Sequence, residues 1–144
     1  MISIRYAAGS ALLLILSIAA LTAQTKETYK ARLSAVPADA RTRADLTGSG
    51  TATALLEGSK VTVSGSFEDL KTSATTANLH IAVAAGVRGP ALADVTITKA
   101  TSGTITGSVD LTPEQLKNFQ HGGLYLEIHS EKAPDGVIWG WFLK

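Results

Sequence analysis

Alternation of apolar and polar residues with a period of two runs through most of the chain after residue 27. The clearest case is Lys60 to Leu70, where Val61, Val63 and Phe67 share one face and polar side chains share the other. Further predicted strands are Thr28–Val36, Thr51–Leu56, Thr76–Ala84, Ala91–Thr98, Gly103–Leu111 and two strands within Gly122–Leu143. About eight short strands with regular turn residues predict an all-β antiparallel sandwich or barrel.

One short helix interrupts the predicted strands. Thr112, Pro113 and Gln115 form a capping box with proline at the first helical position. Leu116 and Phe119 are expected on the buried side of this helix, and Gly122 or Gly123 is expected to end it in the left-handed conformation. No internal repeat or low-complexity linker is present, so we expect a single folded domain.

The first 23 residues have the pattern of a signal peptide. Arg5 precedes an uncharged apolar run from Ala11 to Ala23, which is too short for an ordinary transmembrane helix. Leu-Thr-Ala before Gln24 is the expected cleavage site, and an uncleaved anchor starting nearer Ile2 is the alternative. We therefore predict a signal peptide at residues 1–23, a mature domain at 24–144, and a secreted or periplasmic location.

Composition excludes several classes of function. The chain has no cysteine, which excludes a lipid-anchored lipoprotein, disulfides and thiolate metal sites. Without residues 1–23, 12 basic and 12 acidic side chains balance. A neutral domain is not expected to bind nucleic acid, or to bind a membrane through charge once the signal peptide is removed. No Gly-x-Ser-x-Gly motif or phosphate-binding glycine loop is present, so we predict a protein that is not an enzyme and needs no cofactor.

The three histidines differ in the roles that their positions predict. His121 ends the helix, where a cation complements the helix dipole. His80 and His129 both lie on the polar face of a predicted strand and would share a surface if those strands are neighbours. Together they define an alternative function, a copper- or zinc-binding redox protein. Two imidazoles are fewer ligands than such centres usually have, and Glu127 or Asp94 would have to supplement them.

The last two strands predict an aromatic surface. If Ile138 and Phe142 enter the core, Trp139 and Trp141 lie on the same side as Tyr125 and His129. Tyr125, Trp139 and Trp141 are therefore candidate ligand-binding residues, suited to stacking on a carbohydrate or on a partner protein. The alternative is that the helix or the N-terminal segment covers these rings as a second small core.

The residues of the last two strands also resemble the C-terminal motif of a known family, the CHRD domain. The resemblance covers Tyr29 to Leu143 and is carried by three groups of residues. They are Tyr29, Ala31, Leu33, Ser34, Val36 and Pro37; Ala77, Asn78, Leu79 and His80 with Gly89 and Pro90; and Leu116, Gly122, Tyr125, His129, Ser130, Pro134, Gly136, Ile138 and Gly140. The resemblance implies an immunoglobulin-like, Greek-key β-sandwich that is exported and has no known catalysis.

The chain departs from the family pattern on its polar face. Asn78 stands where the family has the first histidine of an Ala-His-Ile-His strand, and Val137, Trp139 and Trp141 replace polar residues. We therefore expect an exported, non-enzymatic binding module or envelope-associated module. A purely structural coat domain and the metal-binding protein are the alternatives.

Overall fold

A computed structural model describes residues 23–144 as eight strands and one helix. The elements are β1 (Lys26–Ala35), β2 (Ser49–Glu57), β3 (Lys60–Glu68), β4 (Ala74–Ile81), β5 (Ala91–Ile97), β6 (Gly103–Asp110), α1 (Pro113–Gln120), β7 (Leu124–Ser130) and β8 (Ile138–Trp141). The predicted signal peptide, apart from Ala23, lies outside the described residues and stays a prediction. Within residues 23–144, no helix is long and apolar enough to cross a membrane.

The eight strands form one closed barrel rather than a sandwich of two separate sheets. The strand order around the barrel is β1-β2-β3-β6-β5-β4-β7-β8, every pairing is antiparallel, and β8 returns to β1. The prediction of an all-β chain with eight strands and a short helix is confirmed. The immunoglobulin-like, Greek-key sandwich is corrected to a barrel.

Two strands that belong to both halves of the molecule explain the closure. The ten residues of β1 pair with β2 along most of their length, and Ser34 and Ala35 also pair with β8. In the same way β5 pairs with β4, while Thr96 and Ile97 pair with β6. These short ladders join edges that a sandwich leaves open. Period-two alternation predicts the strands but does not say which edges meet.

Gly140 permits the closest approach at one of these seams. A Cβ atom at this position would overlap the carbonyl oxygen of Arg32 on β1. A residue with a side chain would therefore push β8 away from β1. The two strands are joined on both sides of this point: Lys30 and Leu143 exchange backbone hydrogen bonds of 2.8 and 2.9 Å on one side, and Ser34 pairs with Trp139 on the other. Gly140 is thus part of what makes the barrel close.

The barrel encloses one apolar core, and α1 contributes to it. Phe119 is fully buried and its ring lies 4.3 Å from the ring of Tyr29. The predicted capping box is present at Thr112 and Gln115, and Gly122 has the expected positive φ of 84°. The prediction that Val83 lies in the core is wrong, because β4 ends at Ile81 and Val83 is 66% exposed.

Candidate functional site

The outer faces of β4, β7 and β8 carry the residues that the sequence singled out. In the ladder between β4 and β7, His80 lies opposite Tyr125. In the ladder between β7 and β8, Tyr125 lies opposite Trp141 and Glu127 opposite Trp139. We refer to six of the outward side chains of these three strands as the outer patch. It consists of His80, Tyr125, Glu127, His129, Trp139 and Trp141.

The outer patch is mostly covered, although its residues point away from the barrel core. Tyr125 is 1% exposed and Glu127 is 3% exposed, while His80, His129 and both tryptophans are intermediate. Two loops contribute to this cover: Gly89 of residues 82–90 contacts His80 and Tyr125, and Pro134 and Gly136 of residues 131–137 contact His129 and Glu127. The rings therefore form a small, mostly covered cluster in which Trp139 and Trp141 remain partly exposed.

Both histidines are held by a backbone carbonyl from one of these loops. His80 Nδ1 lies 3.0 Å from the carbonyl oxygen of Gly89, and His129 Nδ1 lies 2.8 Å from that of Pro134. Because a carbonyl oxygen can only accept, each Nδ1 carries the hydrogen that it donates. In the neutral ring, the lone pair then lies on Nε2. Each loop thus fixes the orientation and the tautomer of one imidazole.

Glu127 is the buried acid between these imidazoles. Its Oε1 lies 3.6 Å from His129 Nε2, and its Oε2 lies 3.7 Å from a guanidinium nitrogen of Arg88. Both distances exceed those of ordinary hydrogen bonds. Gly136 lies directly over the carboxyl group, since a Cβ there would be 3.0 Å from Glu127 Cδ. The carboxylate is therefore enclosed without a direct hydrogen bond from either neighbour.

Several buried polar atoms of the outer patch have no hydrogen-bond partner among the described residues. They are His80 Nε2, Glu127 Oε2 and Trp141 Nε1. Buried polar atoms in folded proteins are nearly always paired, and leaving one unpaired costs about 1–3 kcal/mol. Among the described residues the other such atom is Ser130 Oγ, so three of the four lie in the outer patch.

The structure brings His80 and His129 together with Glu127. One potential ligand atom from each residue lies within 4.8 Å of the other two. Asp94, the other acid considered from the sequence, is instead an exposed residue that accepts a hydrogen bond from Asn78. Alternation placed Glu127 between Tyr125 and His129 on the outward face, which was the available signal for its role. Arg88 was missed because it lies in a loop with no periodic pattern.

The aromatic rings form a continuous contact series from His80 to Arg88. The His80 ring stacks on Tyr125 at 4.7 Å, Tyr125 contacts Trp141 at 4.8 Å, and Trp141 contacts Trp139 at 4.8 Å. The guanidinium of Arg88 lies 4.3 Å from the centre of the Trp139 ring. The shared face of Tyr125, Trp139 and Trp141 is as the sequence predicted.

Fold and site together define a small all-β barrel domain with one polar and aromatic surface site on its outer wall. The family model of the CHRD domain matches residues 29–141. The chain therefore belongs to the CHRD domain family. No curated protein and no solved structure matches the chain.

Proposed function

We propose that this protein is an exported, non-enzymatic CHRD-domain module that binds a ligand at the outer patch. The observation that carries the proposal is the group of unpaired buried atoms, His80 Nε2, Glu127 Oε2 and Trp141 Nε1. A purely structural coat domain would gain stability by pairing or replacing such atoms, because each one costs free energy in the folded state. A ligand that supplies the missing partners accounts for their presence.

Several features support binding without catalysis. The CHRD family match is consistent with a non-catalytic module. Ser130 follows His129 directly on β7, so its side chain points to the opposite face of the strand and cannot form a nucleophile–base pair with that imidazole. The acid beside His129 is Glu127, and the hydroxyl of Tyr125 is already hydrogen-bonded to Gly89.

Export is part of the same proposal. It rests on two features of the sequence. Residues Met1 to Ala23 have a basic residue, then an apolar run, then small residues, which is the order of regions in a signal peptide. The chain also has no cysteine, so it has no free thiol that an oxidising compartment would oxidise. The full chain would be expressed in a bacterial host and fractionated. We expect a mature protein beginning at Gln24 outside the cytoplasm; an unprocessed chain in the cytoplasm would contradict export.

Binding is testable through intrinsic fluorescence. Trp139 and Trp141 are the two tryptophans of the chain, so tryptophan emission reports on the outer patch alone. Purified protein would be titrated with zinc and copper salts, phosphate, sulfate, oligosaccharides and dipeptides, with thermal unfolding followed in parallel. We expect at least one class to change the emission and raise the unfolding temperature.

Glu127→Gln is the test variant and should abolish that response. Glu27→Gln, near the start of β1 and outside the outer patch, is the matched control and should not. If no class of probe changes the emission or the unfolding temperature, the outer patch is a small structural core and the proposal fails. A response to a carbohydrate or a peptide alone would support the proposed function while excluding a metal.

A further inference from the structure

We infer that the outer patch is a binding site for one divalent transition-metal ion of the zinc or copper class, held by His80, Glu127 and His129. This inference rests on the proposed function, because it identifies the ligand of the same site. Two imidazoles and one carboxylate are a donor set that both metals accept, with a further position left for water or another ligand.

The orientation of the two imidazoles supports this inference. A histidine that binds a metal through one ring nitrogen usually donates its other N–H to a carbonyl or carboxylate. His80 and His129 both do this, through Gly89 and Pro134, and both keep Nε2 free of hydrogen bonds. Ordinary surface histidines have no need for two separate loops that fix the same tautomer.

The charge of the site also favours a cation. Glu127 is almost completely buried, and a buried carboxylate is costly unless it is paired or coordinates a metal. Arg88, its cationic neighbour among residues 23–144, remains 3.7 Å away and carries a side chain that is 59% exposed. A divalent ion between the imidazoles would supply the missing charge beside Glu127, whose Oε1 lies 3.6 Å from His129 Nε2.

The distances require only a small adjustment. Three donor atoms bound tetrahedrally to one metal at about 2.0–2.2 Å are about 3.3–3.6 Å apart. The potential ligand atoms of His80, Glu127 and His129 lie within 4.8 Å of one another. Side-chain rotations that close the longest separation by at most about 1.5 Å therefore suffice. The strands that carry these residues are directly hydrogen-bonded neighbours, so their backbone positions need not change.

Arg88 competes with the metal for the same carboxylate. Its guanidinium is held near Glu127 and over the Trp139 ring, and it lies on the loop whose Gly89 orients His80. Like charges repel, so metal binding and the Arg88–Glu127 contact oppose each other. Removal of the Arg88 charge is therefore expected to tighten metal binding, which is opposite to the effect of removing a ligand.

The test uses full-length protein purified without a histidine tag and stripped with a chelator. Zinc and copper salts are added separately in equilibrium dialysis, and bound metal is measured by mass spectrometry. We expect one ion per chain. His80→Gln, His129→Gln and Glu127→Gln should each weaken binding at least about tenfold, whereas Arg88→Gln should strengthen it several-fold. Electron paramagnetic resonance of the copper form should show two nitrogen ligands.

His121→Gln and Glu27→Gln are the matched controls. His121 follows α1 and Glu27 lies on β1, outside the strands that carry the site, so both variants should leave the affinity unchanged. Circular dichroism checks that each variant is folded. Failure of both metals to bind would overturn the inference, as would binding that is unchanged in His129→Gln and Glu127→Gln. If the metals fail while another probe changes the tryptophan emission, the metal inference fails and the proposed function stands.

Discussion

Two glutamates on the barrel have opposite surroundings. Glu27, near the start of β1, accepts a 2.7 Å hydrogen bond from Tyr29 and forms a 2.8 Å ion pair with Lys144, and it remains accessible to solvent. Glu127, on β7, is buried, and the nitrogens of its neighbours His129 and Arg88 lie 3.6 and 3.7 Å from its oxygens. The exposed carboxylate therefore has close partners, whereas the buried one, which needs them more, does not.

This contrast separates a structural role from a binding role. Glu27 ties the start of β1 to the end of the chain, and the hydrogen bonds from Lys144 and then Tyr29 hold the pKa of its carboxyl below the ordinary range. Glu127 lies among other unpaired atoms in the outer patch. Stabilising contacts are complete in the first region and incomplete in the second, as expected where a ligand completes them.

The largest expected effect is metal-dependent stabilisation. Metal at a free concentration about 100 times its dissociation constant should stabilise the fold by about 2.7 kcal/mol, which raises the unfolding temperature by on the order of 10 °C. Thermal unfolding with and without zinc measures this shift. His129→Gln should remove it and Glu27→Gln should retain it. An equal shift in both variants would mean that the two regions do not differ in the proposed way.

Removal of a tyrosine hydroxyl should also affect the two regions unequally. Tyr125 donates to the carbonyl of Gly89 at 3.1 Å and accepts from its N–H at 3.2 Å, both in a covered site. Tyr125→Phe should therefore lower the free energy of unfolding by about 1–2 kcal/mol. Tyr29→Phe, which loses one bond to the accessible Glu27, should cost less in urea unfolding. A larger loss at Tyr29 would reverse the comparison.

Replacement of the buried carboxylate should not destabilise the metal-free protein. Glu127→Gln removes a buried charge that lacks a hydrogen bond, so the free energy of unfolding should rise by about 1 kcal/mol in the presence of a chelator. Urea unfolding of the two proteins measures the change. A loss of stability instead would show that the contact between Arg88 and Glu127 is a net stabilising ion pair.

The smallest effect is expected in acid. A carboxyl whose folded pKa is lowered contributes stability above its unfolded pKa, and that stability is lost as the pH falls through the folded pKa. For Glu27 the loss begins below about pH 4.3, the ordinary value for a glutamate. Glu27→Gln should flatten the acid side of a plot of unfolding temperature against pH.

Asp39 provides the reference for that measurement. Backbone N–H groups of Arg41 and Thr42 also lower the pKa of its carboxyl, so part of the acid loss should survive in Glu27→Gln. Asp39→Asn should remove that remaining part. If Glu27→Gln leaves the pH profile unchanged, the contact with Lys144 contributes nothing measurable.

The sequence predicted those features that depend on local pattern. The strands follow from alternation, the helix start from Thr112 and Gln115, and the common face of Tyr125, Trp139 and Trp141 from the same period of two. Barrel closure was not predictable in this way, because the pairing of β1 with β8 joins residues more than 100 positions apart.

The covering of the outer patch was equally beyond local pattern. Alternation assigned Glu127 and Tyr125 to the outward face, and that face is usually solvated in a single sheet. Here the loops that contain Gly89 and Gly136 fold over it. Because loop conformation depends on contacts with other parts of the chain, the burial of Glu127 and the position of Arg88 required the structure.

The ladder between β1 and β8 has a consequence for how the chain folds. These are the first and last strands of the described residues, so the seam at Ser34 and Trp139 can form only after the final strand is available. Contacts of such large sequence separation slow folding. A chain synthesised from its N-terminus should therefore lack this seam until β8 has been made.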